Sequence, residues 1–130
     1  MTPFAESLEI LRSDRGLTQA QLAEKADITS NYLSMLERGV KRPPSDETLE
    51  KLSKALELSP DEARAFTYDA ELTQFRFTIP ATATRDECEM VRSLYKHLGT
   101  LTTKQVQLIE LALSITSGIK KMVGESRMKT

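Results

Sequence analysis

Apolar residues in the first half of the chain recur at helical spacing, and nearly every such run is bracketed by residues that start or stop helices. Phe4, Leu8 and Leu11 stand at i, i+4 and i+7 behind Thr2-Pro3, a cap followed by proline at the first helical position, and Gly16 ends the run. Thr18 with Gln21 forms a capping box for a second helix whose inner face is Leu22, Ala23 and Ala26. After a short break at Asp27-Ile28, Thr29 caps a third helix with Leu33 and Leu36 inward, stopped by Gly39. Pro43-Pro44 predicts a rigid turn, and Ser45 a cap for a fourth helix with Leu49, Leu52 and Leu56 inward. Ser59-Pro60-Asp61-Glu62 opens a fifth. Five helices in under 75 residues leave no room for a sheet.

The pattern changes at Gln74. Residues 74–80 alternate apolar with polar, a strand period that Pro80 ends, so the segment reads as a short strand or an extended linker. As a strand it would carry an unpaired edge in need of a partner. Thr84 with Glu87 then starts a helix with Met90, Val91, Leu94 and Leu98 on one face, closed by Gly99. Thr102 with Gln105 opens a longer one reaching about Val123. The expected organisation is 1–73 as one helical domain, 74–84 as linker or short strand, 85–123 as a second helical region and 124–130 as a tail.

Composition narrows the classes. Hydrophobic residues at 39% and charged ones at 28% give an ordinary globular balance. A single cysteine, Cys88, excludes an internal disulfide and fits a reducing cytosol. No apolar run is long enough to cross a bilayer, and the opening residues lack the basic start of a signal peptide, so a cytoplasmic protein without a membrane partner is expected. Catalytic chemistry finds no foothold: His97 and Cys88 stand nine residues apart on opposite sides of one helix, with no zinc-ligand spacing and no glycine-rich phosphate loop. Neither an enzyme, a metal site nor a cofactor is expected.

Net charge is −1, yet it is unevenly spread. From Ile28 to Ser45 the charged residues are Glu37, Arg38, Lys41 and Arg42, three cations against one acid. Those cations follow a helix whose outer face is Ser30, Asn31, Ser34 and Met35, small and amide side chains suited to base edges in a major groove. Ala23 supplies the small residue that two steeply crossing helices need, and Ile28, Leu33 and Leu36 lock the second helix in place.

LTQAQLAEKA, YLSMLERG and PPSDETLEKLSKALEL, all in register over roughly residues 4–58, resemble the lambda-repressor-like, Xre/Cro family of bacterial and phage regulators. The resemblance implies a lambda-repressor-like DNA-binding domain for the five-helix region; with the two later helices read above, the expected fold is all-α, a five-helix lambda-repressor-like DNA-binding domain followed by a C-terminal helical hairpin. Asp27 departs from the glycine usual in the family's turn, but aspartate tolerates left-handed backbone. By position, Gln19 is implied to grip a phosphate and brace the recognition helix, and Ser30, Asn31 and Met35 to read bases with Ser34 beside them. Arg38, Lys41 and Arg42 are implied to contact the DNA backbone. Thr29 belongs with this set, as does Tyr32, whether it packs or touches phosphate. An Arg12–Glu37 ion pair is also implied, whereas Arg15, Lys25, Lys51 and Lys54 read as solvated surface charges.

The last helix is apolar over much of its circumference, with Val106, Ile109 and Leu113 on one side and Leu108, Leu111, Ile115 and Ile119 on another. One side is expected to pack on the preceding helix. The other, Leu108 to Ile119, needs the chain's own first domain or a second copy of the chain, and a homodimer suits a two-fold DNA site. The expected function is a sequence-specific DNA-binding transcription regulator, a repressor binding a palindromic operator as a dimer. Its partners are double-stranded DNA, itself, and a regulatory ligand or protein at the C-terminal region. The alternative is a protein-interaction module, antitoxin-like or a scaffold, that uses the same fold without a DNA target; the acidic balance motivates it.

Overall fold

The computed structural model describes residues 1–128, with side chains as far as Ile115. It is all-α: α1 (Pro3–Asp14), α2 (Gln19–Lys25), α3 (Ser30–Glu37), α4 (Asp46–Ala55), α5 (Pro60–Gln74), α6 (Arg85–His97) and α7 (Thr103–Met128). No strand forms among the described residues, and residues 75–80 carry no regular structure, because the alternating segment meets no second strand on which to build a ladder. The chain divides into one unit over Met1–Phe77 and another from Thr78 on. No helix is long and apolar enough to cross a membrane among the described residues.

Capping starts most of the helices. The Thr2, Thr18, Thr29 and Ser59 side chains each accept from a backbone amide of the following turn, and at Thr18 and Ser59 the box is closed by Gln21 and Glu62. Thr84–Glu87 and Thr102–Gln105 do the same for α6 and α7. Ser45 is the exception: its hydroxyl makes no cap bond and turns to the Thr48 hydroxyl at 3.5 Å, so α4 relies on Asp46 and Glu47 in its first turn.

Four helix ends share one device. The residue after the C-cap swings into left-handed backbone and the next amide reaches back five residues: Leu17 to Arg12, Ile28 to Ala23, Val40 to Met35 and Leu58 to Ser53. Two of these corners are glycines, Gly16 and Gly39, whereas Asp27 and Glu57 occupy the same geometry at φ 56° and 54° with a Cβ to accommodate. Relief of that strain at Asp27 competes with the added entropy of an unfolded glycine. Asp27→Gly is therefore expected to raise stability by less than about 1 kcal/mol, read from thermal unfolding; a loss would show that the strain at Asp27 is smaller than the entropy a glycine adds to the unfolded chain.

In the first unit α1 packs on α5 and α3, while α2 packs on α3 and α4. The shared interior holds Phe4, Leu8, Leu22, Leu33, Leu36, Leu52, Leu56 and Phe66, with Ala23 and Ala26 where backbones approach. Each such large side chain contributes roughly 1.5–3 kcal/mol by leaving water. Phe4 and Phe66 join α1 to α5 with ring centroids 5.1 Å apart, and the Phe4 amide donates to Thr73 Oγ1 at 3.1 Å.

Arg15 is not the solvated charge expected. Its guanidinium donates to the carbonyl of Leu56 at the end of α4, to that of Leu11, and to both carboxylate oxygens of Glu62 at 3.0 and 3.1 Å, tying α1, α4 and α5 together. The Glu62 carboxyl is held below the ordinary glutamate range by the Ser59 amide first and Arg15 next. Its contribution to stability is present at neutral pH and is lost as pH falls through the lowered value.

The second unit differs. No side chain of α6 is buried, and Val106 and Ile109, expected to pack on it, remain exposed. The anticipated packing of α7 on α6 is thus not closed within one chain among the described residues.

Candidate nucleic-acid interface

A helix whose inner residues are fixed has its outer residues fixed as well. Leu33 and Leu36 lie fully buried at the base of α3, with Ile28 and Tyr32 packed at the margin of the core. At 3.6 residues per turn this turns Ser30, Asn31, Ser34, Met35 and Arg38 to the opposite side. Ser30, Asn31 and Arg38 are exposed, and Ser34 and Met35 half-buried. Asn31 makes no side-chain hydrogen bond among the described residues. The Thr29 hydroxyl accepts from the Tyr32 amide at 3.0 Å, so it both starts the helix and sits at its exposed end.

Glu37, one turn beyond, points inward. It is only 4% exposed and holds Arg12 bidentately, with Arg12 Nε to Oε1 at 2.5 Å and Nη2 to Oε2 at 3.1 Å. The Gln19 amide nitrogen donates to Glu37 Oε2 at 2.7 Å, and Arg12 Nη1 donates to the Leu17 carbonyl at 2.7 Å. Accepting from Arg12, Glu37 raises the affinity of that guanidinium for its proton, against the opposing cost of burial. One carboxylate therefore joins α1, the start of α2 and α3, setting the angle at which α3 is presented. The implied Arg12–Glu37 pair is present. The share taken by Gln19 was not legible, since the residues lie 18 apart and only the fold brings them together.

The same arrangement changes the surface charge. With Glu37 turned inward, the exposed charges on the outer face of α3 and in the loop after it are Arg38, Lys41 and Arg42. None forms an ion pair among the described residues; Arg38 Nε reaches only the Ser34 carbonyl, at 3.4 Å. Val40 and Lys41 amides both donate to the Met35 carbonyl, at 3.0 and 3.3 Å, fastening this loop to the last turn of α3. Sequestering the acid leaves a run of small, amide and thioether groups edged by three cations.

Other chemistry is sparse. Cys88 is half-buried on α6; His97 is exposed on the same helix, its Nδ1 2.8 Å from the Ser93 carbonyl. No group of three His, Cys, Asp or Glu side chains gathers as metal ligands would among the described residues. On α7, Leu108, Leu111 and Ile115 are 65%, 55% and 51% exposed, whereas the side chain of Ile119 lies outside the described residues.

Residues 8–62 match the family described as helix-turn-helix. The chain is 38% identical over 73 residues to the HTH-type transcriptional regulator SinR of Bacillus subtilis (strain 168), covering 53% of this chain and 66% of that protein. It is 37% identical over 56 residues to the protein of the same name from Bacillus licheniformis, covering 43% and 50%. The chain thus spans less than two thirds of the length of either relative. Among solved structures, the clp gene regulator ClgR from C. glutamicum superposes with a TM-score of 0.46 at 31% identity, over 58% of this chain and 92% of that one. A SinR protein/SinI protein complex superposes with a TM-score of 0.42 at 22% identity, over 88% and 98%.

Proposed function

From the premise that residues 8–62 are a helix-turn-helix domain of the lambda-repressor-like, Xre type, we propose that this protein is a sequence-specific DNA-binding transcription regulator. It represses by occupying a palindromic operator as a homodimer, excluding polymerase from an overlapping promoter. The observation that carries the reading is the outer face of α3, free of acids because Glu37 is bound to Arg12, and edged by Arg38, Lys41 and Arg42.

In this reading α3 enters the major groove. Asn31 pairs bidentately with an adenine, Met35 meets a thymine methyl, and Ser30 and Ser34 complete the base contacts. Arg38, Lys41 and Arg42 hold phosphates on one side; Thr29, Tyr32 and Gln19 hold them on the other, where the N-terminus of α2 adds backbone donors. The carbonyl oxygen of Gln19 orients with its amide, which Glu37 fixes. Residues 1–73 bind DNA, 74–84 connect, and 85–123 pair two chains through Leu108, Leu111, Ile115 and Ile119. An inducing ligand or protein acts on that C-terminal region. The protein works in the cytoplasm, where its DNA and its single reduced cysteine belong.

Selection of bound duplexes from a random library at moderate salt, followed by sequencing, tests this. A two-fold symmetric motif with half-sites about one turn apart, roughly 34 Å, supports both base reading and dimeric binding. Asn31→Ala is then expected to lose about 1–3 kcal/mol per half-site on that duplex and to relax preference at one base pair in each. Enrichment of a lone half-site retains the DNA reading and removes the dimer geometry. No enrichment at any salt favours the protein-interaction module instead.

A further inference from the structure

A cleft of about 520 Å³ opens beside the loop that follows α3. Three segments of the first unit form it: the start of α1, residues 39–43, and the end of α5 with the residues after it. Lys41, Arg42 and Arg76 all line it, and neither an aspartate nor a glutamate does. No ion pair or side-chain hydrogen bond engages any of the three cations among the described residues. Of the hydroxyls on the wall, Thr73 accepts from the Phe4 amide and donates to the Asp69 carbonyl at 2.8 Å, whereas Thr2 accepts from the Ala5 amide and keeps its O–H to donate. With the Gln74 amide, the wall offers an occupant three cations and neutral donors and no carboxylate.

We propose that this cleft is a seat for a DNA backbone phosphate and that Arg76 is a DNA contact, beyond the recognition helix and the loop after it. The inference rests on the DNA-binding reading above and extends its footprint to the segment after α5. Two features favour DNA over a small organic anion. The mouth faces solvent, with Phe75 73% exposed at its rim, so a free ligand finds no enclosed apolar bed. The cleft is also continuous with the proposed interface, since the loop carrying Lys41 and Arg42 is fastened to α3 through the Met35 carbonyl. A guanidinium grips two oxygens of one phosphate, which suits Arg76 to a backbone that passes the cleft from outside.

The test uses the full chain and the duplex enriched by selection, with affinity measured across a range of salt. Arg76→Gln is expected to weaken binding equally for the selected duplex and an unrelated one, and to make the slope of log K against log salt shallower by about 0.9 for each chain bound. Arg76→Lys is expected to keep the slope. Unchanged thermal unfolding of Arg76→Gln excludes loss of fold as the cause. If Arg42→Gln weakens binding while Arg76→Gln alters neither affinity nor slope, the cleft is not a phosphate seat, although the DNA reading stands. If inorganic phosphate binds saturably to the DNA-free protein and Arg76→Gln removes that binding alone, the site belongs to a free anion and the proposal is overturned. If the unmodified chain binds no duplex at any salt, the reading beneath it fails as well.

Discussion

Glu37→Ala is expected to destabilise the first unit by about 3–5 kcal/mol, the largest loss anticipated for any single charged residue here. The substitution leaves the Arg12 guanidinium mostly buried, with the Leu17 carbonyl as its remaining hydrogen-bond partner and Glu9 as the remaining nearby carboxylate, and removes the acceptor of the Gln19 amide. The cost lies less in the attraction lost than in a buried charge deprived of its bidentate partner. Replacing both partners with Arg12→Met and Glu37→Leu is accordingly expected to recover much of the loss, since two apolar side chains of similar size need no mutual geometry. Urea or thermal unfolding of the two variants, with Arg12→Met alone and Glu37→Leu alone to complete the cycle, measures this; 3 kcal/mol corresponds to a fall in Tm on the order of 12 °C or more for a unit of this size. A loss below about 1 kcal/mol for Glu37→Ala would mean that water reaches Arg12 and that the pair is a surface one. The double variant also separates stability from function. A stable protein that no longer binds DNA tightly would show that the carboxylate sets the presentation of α3 rather than merely holding it.

The second large effect is expected at the other end of the chain. Leu108→Lys with Leu111→Lys places two charges on the exposed stripe of α7. On the dimer reading it yields a monomer by sedimentation. Affinity for the full two-fold site then falls by about 10²–10⁴-fold, because the second half-site is no longer presented at high effective concentration. Affinity for an isolated half-site stays unchanged, since α3 is untouched. A variant that remains dimeric moves the interface off this stripe; one that loses half-site affinity too ties the stripe to the DNA-binding unit.

The first unit was legible because its determinants are local. Caps at Thr2, Thr18, Thr29 and Ser59 act within three residues, and apolar spacing names the inner face of each helix without knowledge of its neighbours. The outer face of α3 followed by subtraction. What was not legible depends on long-range juxtaposition. Arg15 meets the Leu56 carbonyl 41 residues away, and nothing near Arg15 in the sequence distinguishes it from a solvated arginine. Glu57 adopts left-handed backbone where neither glycine nor asparagine announces a corner. The alternation at residues 74–80 is a local strand signal that tertiary structure leaves unanswered. The candidate site divides the same way: the outer residues of α3 were readable from helix periodicity, whereas Arg76 enters only because the start of α1 and the end of α5 come together.

The absence of buried side chains in α6 bears on the lifetime of the protein as well as its assembly. A helix pair whose described side chains are at most half-buried gains little stability from packing on itself. If its interior is completed by a second copy, then folding of that half is a bimolecular event, and its open form becomes commoner as the protein is diluted. Proteases cut what opens. On the proposed reading, a regulator built this way is cleared fastest when scarce and persists when abundant, so its own concentration becomes a signal.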